Sequence, residues 1–453
     1  MINLDLLIIG AGTAGEYAAG TARQSVSSIG MIEKGPVGGD CIFHACIPTK
    51  AMVHAARTHK KMRSADFYGL PTLDKAASYK DVKAFKDRII AGIGTGRDER
   101  WVKSGIQLFR GNARFVSAYE VAVSDEVIKA DKIIITTGSQ PAVPPIPGLK
   151  ETGYITNIEA LELERVPEKL AIIGGGPIGV EFAQIFAAFG SKVHIYEALD
   201  RILIGEDEEI SQAMIGFFSK QGVSVSTSVM VTGVQTTASG KLIAAKGADG
   251  EERSAEYDEI LVATGRRPAI DDLGLVAAGI ETSKKGITVD ASLQTNVPHI
   301  WAAGDVTGIF LFTFVAGEQG KTAALNATGA DRKELRYDVL PRATFCDPEV
   351  ASVGLTERQA REQGYKVKAG RFDYANLTRA IVSDETDGFI KIVAEEGSGH
   401  ILGGHIVGVE ASSLIHEVSA AMAGGLTVSD IGNTLHAYPT LSEGVRYACQ
   451  AIM

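Results

Sequence analysis

A strand, a glycine-rich turn and a helix follow one another twice in this chain, and this repeat constrains the possible folds more than any other feature. The first copy predicts an apolar strand over residues 4–9, the turn GAGTAG and a helix of small residues over 16–23. In such a turn Gly10 makes the tight bend, Gly12 lets a pyrophosphate approach the backbone, and Gly15 lets helix and strand pack closely. The helix N-terminus then offers N–H donors to the phosphates. This copy therefore predicts a dinucleotide site.

The second copy lies near the middle of the chain. It has a strand over residues 170–173, the turn GGGPIG and a helix over about residues 180–189. Its three turn glycines are Gly174, Gly176 and Gly179. In each copy a second strand ends in a glutamate, Glu33 or Glu197, placed 23 residues after the first glycine of the turn. Two copies with the same context and offset indicate two dinucleotide-binding units rather than two unrelated glycine turns.

Glu197 predicts which nicotinamide nucleotide the second unit binds. A carboxylate at the end of this strand accepts a hydrogen bond from the free 2′-hydroxyl of NAD(H) and repels the 2′-phosphate of NADP(H). Arg201 is the one nearby residue that favours NADP(H). The sequence therefore favours NAD(H), and we expect Glu33 to bind the ribose hydroxyls of the dinucleotide in the first unit.

Length and charge limit the classes of function. A chain of 453 residues is too long for one hydrophobic core, and we expect about two to four domains. The net charge of −10 argues against a nucleic-acid surface and against a polybasic membrane anchor. The longest uncharged run, residues 133–149, carries four prolines and is a poor candidate for a membrane-spanning helix. Because the N-terminus lacks the features of a signal peptide, we expect a cytoplasmic protein.

The segment GGDCIFHACIPTK, residues 38–50, holds two of the four cysteines, Cys41 and Cys46. A zinc site would need further cysteines or histidines at ligand spacing, and His44 alone does not complete four ligands. A structural disulfide would be kept reduced in the cytosol. Beside two dinucleotide sites, the pair is best interpreted as a redox centre that accepts electrons from a flavin, with a metal site and inert thiols as the alternatives.

The chain resembles the flavoprotein pyridine nucleotide–disulfide oxidoreductases, which include dihydrolipoamide dehydrogenase, glutathione reductase and mercuric reductase. Their redox motif has the form GGTCxNxGCxPxK, and residues 38–50 match it at the glycine pair, both cysteines, the proline and the lysine. The other matching segments are TTGSQP (136–141), ATGRRP (263–268), AAGDV (302–306), DPEVASVGLTE (347–357) and HAYPTLSE (436–443). The resemblance implies an α/β fold with two Rossmann-like domains and an α+β C-terminal dimerisation domain.

The resemblance also implies FAD and NAD(H) as cofactors and assigns roles to single residues. Cys46 would be the thiol next to the flavin, and Cys41 the interchange thiol that attacks the substrate. Lys50 and Glu181 would pair near flavin N5, where a cation stabilises the anionic reduced flavin and a buried lysine needs a carboxylate. The remaining implied cofactor-binding residues are Thr137, Gly138, Gly265, Gly304 and Asp305, the last on the flavin ribityl chain.

Several residues near the redox pair depart from the family pattern. Asp40 stands in place of threonine, Phe43 in place of asparagine and Ala45 in place of glycine. We expect the negative charge of Asp40 to raise the pKa of Cys41. A protonated His44 would offset that charge.

The larger departure is Tyr438. In dihydrolipoamide dehydrogenase and glutathione reductase a histidine precedes this proline and acts as general acid–base, oriented by a glutamate that corresponds to Glu443. Thiol–disulfide exchange needs a base with a pKa near 7, whereas only about one tyrosine in 10³ is ionised at that pH. His436 is the candidate substitute. A tyrosine otherwise favours an acceptor that needs no such proton shuttle, as in mercuric reductase.

We predict four domains: FAD-binding (1–142), NAD-binding (143–269), a central domain that returns to the FAD (270–338) and dimerisation (339–453). The C-terminal segment of one subunit should complete the site of its partner, which makes the protein a homodimer. The pattern is most like dihydrolipoamide dehydrogenase, with electrons passing between NADH, FAD, the Cys41–Cys46 disulfide and a small-molecule disulfide, dithiol or other acceptor. One alternative is an NADH-dependent metal-ion or quinone reductase, and another is a flavin–NAD protein that acts as a redox-sensing or non-enzymatic binding subunit. We expect no nucleic-acid or membrane partner.

Overall fold

Two compact units, each discontinuous in sequence, make up the computed structural model, which describes residues 2–72, 77–329 and 332–453. The first unit comprises Met1–Ala51, Lys83–Ala142 and Gly265–Leu335. The second unit comprises Met52–Val82, Val143–Thr264 and Arg336–Met453. The predicted division into four domains stays a prediction.

The strands are numbered in chain order. They are β1 Ile2–Ile9, β2 Ile29–Glu33, β3 Gln107–Arg110, β4 Ala113–Phe115, β5 Glu120–Val123, β6 Glu126–Ile135, β7 Ser139–Pro141, β8 Lys169–Ile173, β9 Lys192–Tyr196, β10 Ser224–Ser226, β11 Val229–Thr236, β12 Lys241–Gly247, β13 Glu252–Tyr257, β14 Glu259–Val262, β15 Arg266–Pro268, β16 Thr282–Ser283, β17 Gly286–Ile287, β18 Ile300–Ala302, β19 Arg342–Thr344, β20 Glu349–Gly354, β21 Val367–Asp373, β22 Phe389–Glu395 and β23 Ile401–Gly408.

The helices are numbered in the same way. They are α1 Thr13–Ala22, α2 Gly39–Phe43, α3 Cys46–Arg63, α4 Tyr79–Gly94, α5 Arg97–Lys103, α6 Leu149–Thr152, α7 Asn157–Ala160, α8 Pro177–Ala188, α9 Glu208–Lys220, α10 Thr313–Ala327, α11 Glu357–Glu362, α12 Thr378–Val382, α13 Ala411–Ala423, α14 Val428–Asn433 and α15 Glu443–Gln450. Short 3₁₀ turns cover Ala65–Tyr68, Leu275–Ala278, Asp305–Thr307 and Tyr374–Asn376.

The first unit is built on a mostly parallel sheet in the order β3-β2-β1-β6-β5-β4, with β18 also paired to β6. Strand β1 lies between β2 and β6 and runs parallel to both. Its buried residues alternate between the two faces, because Leu7 and Ile9 belong to one hydrophobic cluster and Leu6 and Ile8 to another. The second cluster includes the alanines of α1 and α10. Such a strand, buried on both faces, reads as a continuous apolar run.

The second unit contains a parallel sheet in the order β10-β9-β8-β14. One face of β8 carries Leu170 and Ile172, which share a core with Phe182 and Phe186 of α8. The opposite face packs against the antiparallel sheet β11-β12-β13. The same unit contains a five-stranded antiparallel sheet in the order β19-β20-β23-β22-β21. Helices α13 and α15 share its hydrophobic core.

The two helices that follow the glycine turns each begin three residues earlier than we predicted. Helix α1 begins at Thr13 rather than at residue 16, and α8 begins at Pro177 rather than at residue 180. The cause is the second glycine of each turn, which is an extended N-cap with ψ −169° at Gly12 and ψ −177° at Gly176. The third glycine therefore lies inside the helix. Among the described residues, no helix combines the length and apolarity that crossing a membrane requires.

Candidate redox-active site

The first glycine turn is closed by its backbone on one side and open on the other. Gly10 has φ +105°, and a Cβ on it would lie 2.4 Å from the carbonyl oxygen of Thr136. A Cβ on Gly15 would lie 2.0 Å from the carbonyl oxygen of Gly10. At Gly12 the nearest atom to such a Cβ is 3.8 Å away. The packing glycines thus face backbone, and the middle glycine faces the space that a pyrophosphate needs.

The second glycine turn repeats this arrangement. A Cβ on Gly174, whose φ is +112°, would lie 2.4 Å from the carbonyl oxygen of Ala263. A Cβ on Gly179 would lie 2.0 Å from the carbonyl oxygen of Gly174, whereas nothing lies within 4 Å of one on Gly176. The second turn therefore has the same open middle position at the N-terminus of α8.

The glutamate after each second strand is tied to its glycine turn. Glu33 accepts hydrogen bonds from Ala11 N and from Gly35 N, both at 2.8 Å. Glu197 accepts from Gly175 N at 2.7 Å and from Leu199 N at 2.8 Å. We predicted these carboxylates as ribose ligands only. Each oxygen still has a second lone pair for a ribose hydroxyl, so the structural role does not exclude the predicted one.

Arg201 is held within its own loop. Its Nη1 donates to Glu208 Oε1 at 3.1 Å, and its Nη2 donates to the carbonyl oxygen of Ile204 at 3.2 Å. Two of its donor groups are therefore already engaged. This geometry supports the prediction of NAD(H) over NADP(H).

Several implied flavin ligands also fit a cofactor. Thr137 Oγ1 is buried and has no hydrogen-bond partner among the described residues, as expected for a hydroxyl that a bound molecule would satisfy. Gly138 and Gly265 have φ of +73° and +111°, and each would leave an added Cβ in open space. Gly304 N donates to Gln319 Oε1 at 2.7 Å, which fixes the peptide between Ala303 and Gly304, one residue before Asp305.

The loop of residues 38–46, here named the redox loop, carries both cysteines of the predicted redox pair in the first unit. Gly39 has φ +67°, and a Cβ on it would lie 2.7 Å from Gly12 Cα, so the loop runs directly against the first glycine turn. Helix α2 holds Cys41, and α3 begins at Cys46. Both are free thiols, and they are hydrogen-bonded to each other. The sequence-predicted redox pair is thus brought together.

The two thiols of the redox pair differ in their ease of ionisation. The hydrogen bond with Cys46 and burial both raise the pKa of Cys41, while the hydroxyl of Thr313 and the charge of Lys50 act in the opposite sense. Cys46 is the first residue of an 18-residue helix, a position where the helix dipole favours a thiolate. The surroundings of Cys41 therefore disfavour its ionisation, whereas Cys46 occupies the N-terminus of a long helix.

Thr313 is a functional candidate that the sequence did not indicate. Its Oγ1 lies 3.3 Å from Cys46 Sγ at the start of α10. It is 267 residues away from Cys46 and belongs to no motif. Only the three-dimensional structure places this hydroxyl beside the pair.

Asp40 is not an uncompensated charge. Its Oδ2 accepts a hydrogen bond from Arg266 Nη2 at 2.6 Å, and His44 Nδ1 lies 3.5 Å from its Oδ1. Burial acts to raise the pKa of Asp40, but His44 and Arg266 outweigh it and the net shift is downward. The pKa of Cys41 is raised as we expected, but the leading causes are Cys46 and burial.

Lys50 and Glu181 belong to different units of the structure. Lys50 Nζ lies 3.4 Å from Thr49 Oγ1. Glu181 is buried in α8 and accepts a hydrogen bond from Phe345 N at 2.9 Å. Their pairing near a flavin stays a prediction.

Tyr438 is 71% exposed at the end of the chain that should carry the acid–base group. Glu443, which we expected to orient that group, is buried and accepts from Thr440 N at 3.0 Å and from Tyr447 Oη at 3.1 Å. The hydrogen bond from its hydroxyl to Glu443 raises the pKa of Tyr447. Glu443 therefore stabilises its own turn.

His436 makes two hydrogen bonds, both to acceptors. Its Nε2 lies 2.8 Å from Glu417 Oε1, and its Nδ1 lies 3.0 Å from the carbonyl oxygen of Thr434. The side chain is only 8% exposed. Glu417 also accepts from Ser442 Oγ at 2.8 Å, and no motif predicted this role. Both ring nitrogens thus face acceptors, which does not favour His436 as the proton acceptor of thiol exchange.

The two remaining cysteines are buried. Burial raises the pKa of Cys449 to about 12 and raises that of Cys346 as well. Neither thiol lies at the surface of its unit.

Comparison with known proteins identifies the family. The family profile described as pyridine nucleotide-disulphide oxidoreductase matches residues 4–324, and the profile of its dimerisation domain matches residues 340–449. The chain belongs to this family. The predicted family, and the α/β architecture with a C-terminal dimerisation domain, are thereby confirmed.

Its relatives divide among several activities. The mercuric reductase of Staphylococcus aureus is 36% identical over 449 residues, which are 98% of this chain and 81% of that protein. The dihydrolipoyl dehydrogenase of Chlamydia trachomatis is 37% identical over 445 residues, which are 97% of this chain and 94% of that protein. Near-equal identity to both leaves the family established and the substrate open.

Solved structures add a third kind of relative. The HOCl-induced flavoprotein disulfide reductase RclA from Escherichia coli matches with a TM-score of 0.89 and 30% identity, covering 99% of this chain and all of that one. Its Cu(II) complex matches with a TM-score of 0.90 and 29% identity over the full length of both chains.

Proposed function

We propose that this chain is an FAD-dependent NAD(H) disulfide oxidoreductase in which Cys41 and Cys46 form the redox-active pair. The observation that carries the proposal is the contact between the two thiols in the unit whose glycine turn and buried Thr137 hydroxyl fit a flavin dinucleotide. Opening of the disulfide takes up two electrons and one proton, and leaves Cys41 as a thiol and Cys46 as a thiolate.

The first unit would hold the FAD. The open position at Gly12 and the N-terminus of α1 would bind the pyrophosphate, Glu33 the adenosine ribose and Asp305 the ribityl chain. When bound, FAD supplies the chemistry that accepts hydride from a nicotinamide and reduces a disulfide. The protein itself aligns Cys46 and favours its thiolate form through the N-terminus of α3, Thr313 and Lys50.

The second unit would hold the nicotinamide nucleotide. The open position at Gly176 lies at the N-terminus of α8, where backbone N–H groups bind phosphate. Glu197 is already oriented by two backbone donors for a ribose 2′-hydroxyl. Because Arg201 is engaged by Glu208 and Ile204, we propose NAD(H) as the nucleotide.

A two-fold homodimer is the proposed assembly. The match of residues 340–449 to a dimerisation domain supports it. The loop before Pro439 exposes two large side chains, Leu435 and Tyr438, which a partner subunit would cover. Sedimentation or light scattering of the purified protein tests this proposal, and a monomer at micromolar concentration would contradict it.

The first candidate substrate is a small disulfide or dithiol of the dihydrolipoamide type. The dihydrolipoyl dehydrogenase relatives and the NAD(H)-type Glu197 support it. The second candidate is a soft metal ion. It is favoured by Tyr438 in place of a base and by the engagement of His436 and Glu443 elsewhere, because reduction of a thiolate-bound soft metal needs no such proton shuttle.

One pair of assays separates the candidates. The first follows NAD reduction by dihydrolipoamide, and the second follows NADH oxidation with mercuric or cupric ion, each for wild type, Tyr438→His and Tyr438→Phe. If the protein is a dithiol enzyme, the wild-type protein turns over dihydrolipoamide. A metal reductase turns over the ion in all three proteins and gains dithiol activity only with histidine. Cys41→Ser should abolish both activities and leave NADH-to-flavin transfer intact, and equal loss of all three would contradict the proposed function.

A further inference from the structure

Asp40, Arg266, Ser139 and Asp305 form a hydrogen-bonded chain in the first unit that connects the redox loop to the implied flavin ligand Asp305. Arg266 Nη2 donates to Asp40 Oδ2 at 2.6 Å, and Arg266 Nε donates to Ser139 Oγ at 2.7 Å. Ser139 Oγ donates to Asp305 Oδ2 at 2.6 Å. Because arginine has no acceptor, the Ser139 hydroxyl accepts from Arg266, and its single proton goes to Asp305. The direction of every bond is therefore fixed.

Arg266 is held on two sides and is unlike the arginine that follows it. It is 13% exposed, lies in β15 paired to β7, and also donates from Nη2 to the carbonyl oxygen of Ser139 at 2.9 Å. Arg267 is 49% exposed and pairs with Asp271 at 2.6 Å on the surface. Only Arg266 is built into the fold.

The charge of Arg266 matters because of what Asp40 replaces. The family pattern has an uncharged threonine immediately before the interchange cysteine, whereas this chain has a carboxylate there. A negative charge beside Cys41 disfavours ionisation of the pair. The charged or titratable groups near the redox loop include Asp40, His44, Lys50 and Arg266. Arg97, which pairs with Glu16, lies beside Gly38 of the loop, and Asp305 is a further carboxylate near Arg266.

We propose that Arg266 is a positioning residue for the redox pair: it neutralises and orients Asp40, so that this carboxylate anchors the redox loop to Asp305 without opposing formation of the thiolate. The inference rests on the proposed function of Cys41 and Cys46. Arg266 lies in the segment 263–268 that matches the family, and in this chain it compensates for the charge that Asp40 adds.

The charge part of the proposal is tested on the holoprotein, reduced anaerobically by two electrons. The pH midpoint of thiol ionisation is measured by the absorbance of the thiolate–flavin contact and by the rate of alkylation with iodoacetamide. Arg266→Gln should raise the midpoint and Asp40→Asn should lower it, each by about one pH unit, or about 1.4 kcal/mol, which is the order of the effect of one nearby unit charge at an effective dielectric constant of about 20. The double variant should return close to wild type. A purely structural defect would move both single variants in the same direction.

The anchoring part is tested by amide hydrogen exchange across residues 39–46. For this test the contact is removed outright: Asp40→Ala, Arg266→Ala and the double variant should all lose the same protection, because each removes the one contact between these two side chains. Arg267→Gln and Asp271→Asn are the matched controls and should change neither measurement. Shifts of the same sign, an unchanged midpoint in Arg266→Gln, or additive losses of protection would overturn the proposal.

The two proposals fail in different ways. A reduced protein that shows no thiolate–flavin absorbance at any pH would contradict the proposed function. Alkylation and amide exchange would still decide the role of Arg266, because neither needs the flavin.

Discussion

Replacement of Thr313 by valine is the most direct test of how this structure controls its redox pair. The hydroxyl of Thr313 lies 3.3 Å from Cys46 Sγ. Valine keeps the branched shape of threonine and removes only the hydroxyl. We therefore expect the pair to stay in place and its ionisation to become harder.

The size of the effect follows from the type of bond. A hydrogen bond to a charged group contributes about 1.5–3 kcal/mol, and one pH unit corresponds to about 1.4 kcal/mol. Loss of the donor disfavours the thiolate, so the pH midpoint of its formation should rise by about one to two units. Thr313→Ser keeps the hydroxyl and should shift the midpoint by less than about half a unit.

The assay is a pH titration of the thiolate–flavin absorbance in the holoprotein after anaerobic reduction by one equivalent of dithiothreitol. Thr328→Val serves as a control at the other end of α10, where the hydroxyl of Thr328 donates to the carbonyl oxygen of Ala324 at 2.9 Å. An unchanged midpoint in Thr313→Val, or equal shifts in the valine and serine variants, would refute the reasoning.

Three further predictions concern stability and nucleotide choice. Lys391 is buried, with Nζ 2.6 Å from Glu209 Oε1 and 3.2 Å from Asp207 Oδ1, so Lys391→Met should lower the free energy of unfolding by about 3–5 kcal/mol; a loss below about 1 kcal/mol in denaturant titration would contradict this. Burial lowers the pKa of His405, so the unfolded chain gains a proton that the folded chain lacks, and the melting temperature should fall as the pH drops below about 6.5. A flat melting temperature between pH 7.5 and 5.5 would contradict it. Glu197→Gln should lower the ratio of kcat/KM for NADH to that for NADPH by about 10- to 100-fold, and an unchanged ratio would remove Glu197 from nucleotide selection.

The features that the sequence predicted best are those formed by residues that lie close together in the chain. The two glycine turns, their strands and the cysteine pair each consist of residues within a few positions of one another, and local sterics assign their roles. The starts of α1 and α8 were wrong because we placed all three glycines outside the helix. A glycine at the N-cap already lets the next residue begin the helix, even when that residue is Pro177.

The sequence could not predict contacts made by single residues from distant segments. Thr313 lies beside Cys46 only because α10 and the redox loop meet in the first unit, and Arg266 reaches Asp40 from 226 residues away. Thr313 belongs to no motif, and the segment 263–268 that contains Arg266 gives no indication that this arginine contacts Asp40. For the same reason the partner of His436 was missed, because Glu417 lies on α13, 19 residues before His436 in the chain.

The double anchoring of Glu33 and Glu197 affects how tightly nucleotides bind. A free glutamate side chain loses about 1.5–2 kcal/mol of rotamer entropy when a ligand immobilises it. In this chain two backbone N–H groups have already fixed each carboxylate before any nucleotide arrives. The ordering cost is therefore met during folding, and the ribose hydroxyls of the proposed dinucleotides would meet preorganised acceptors in both units.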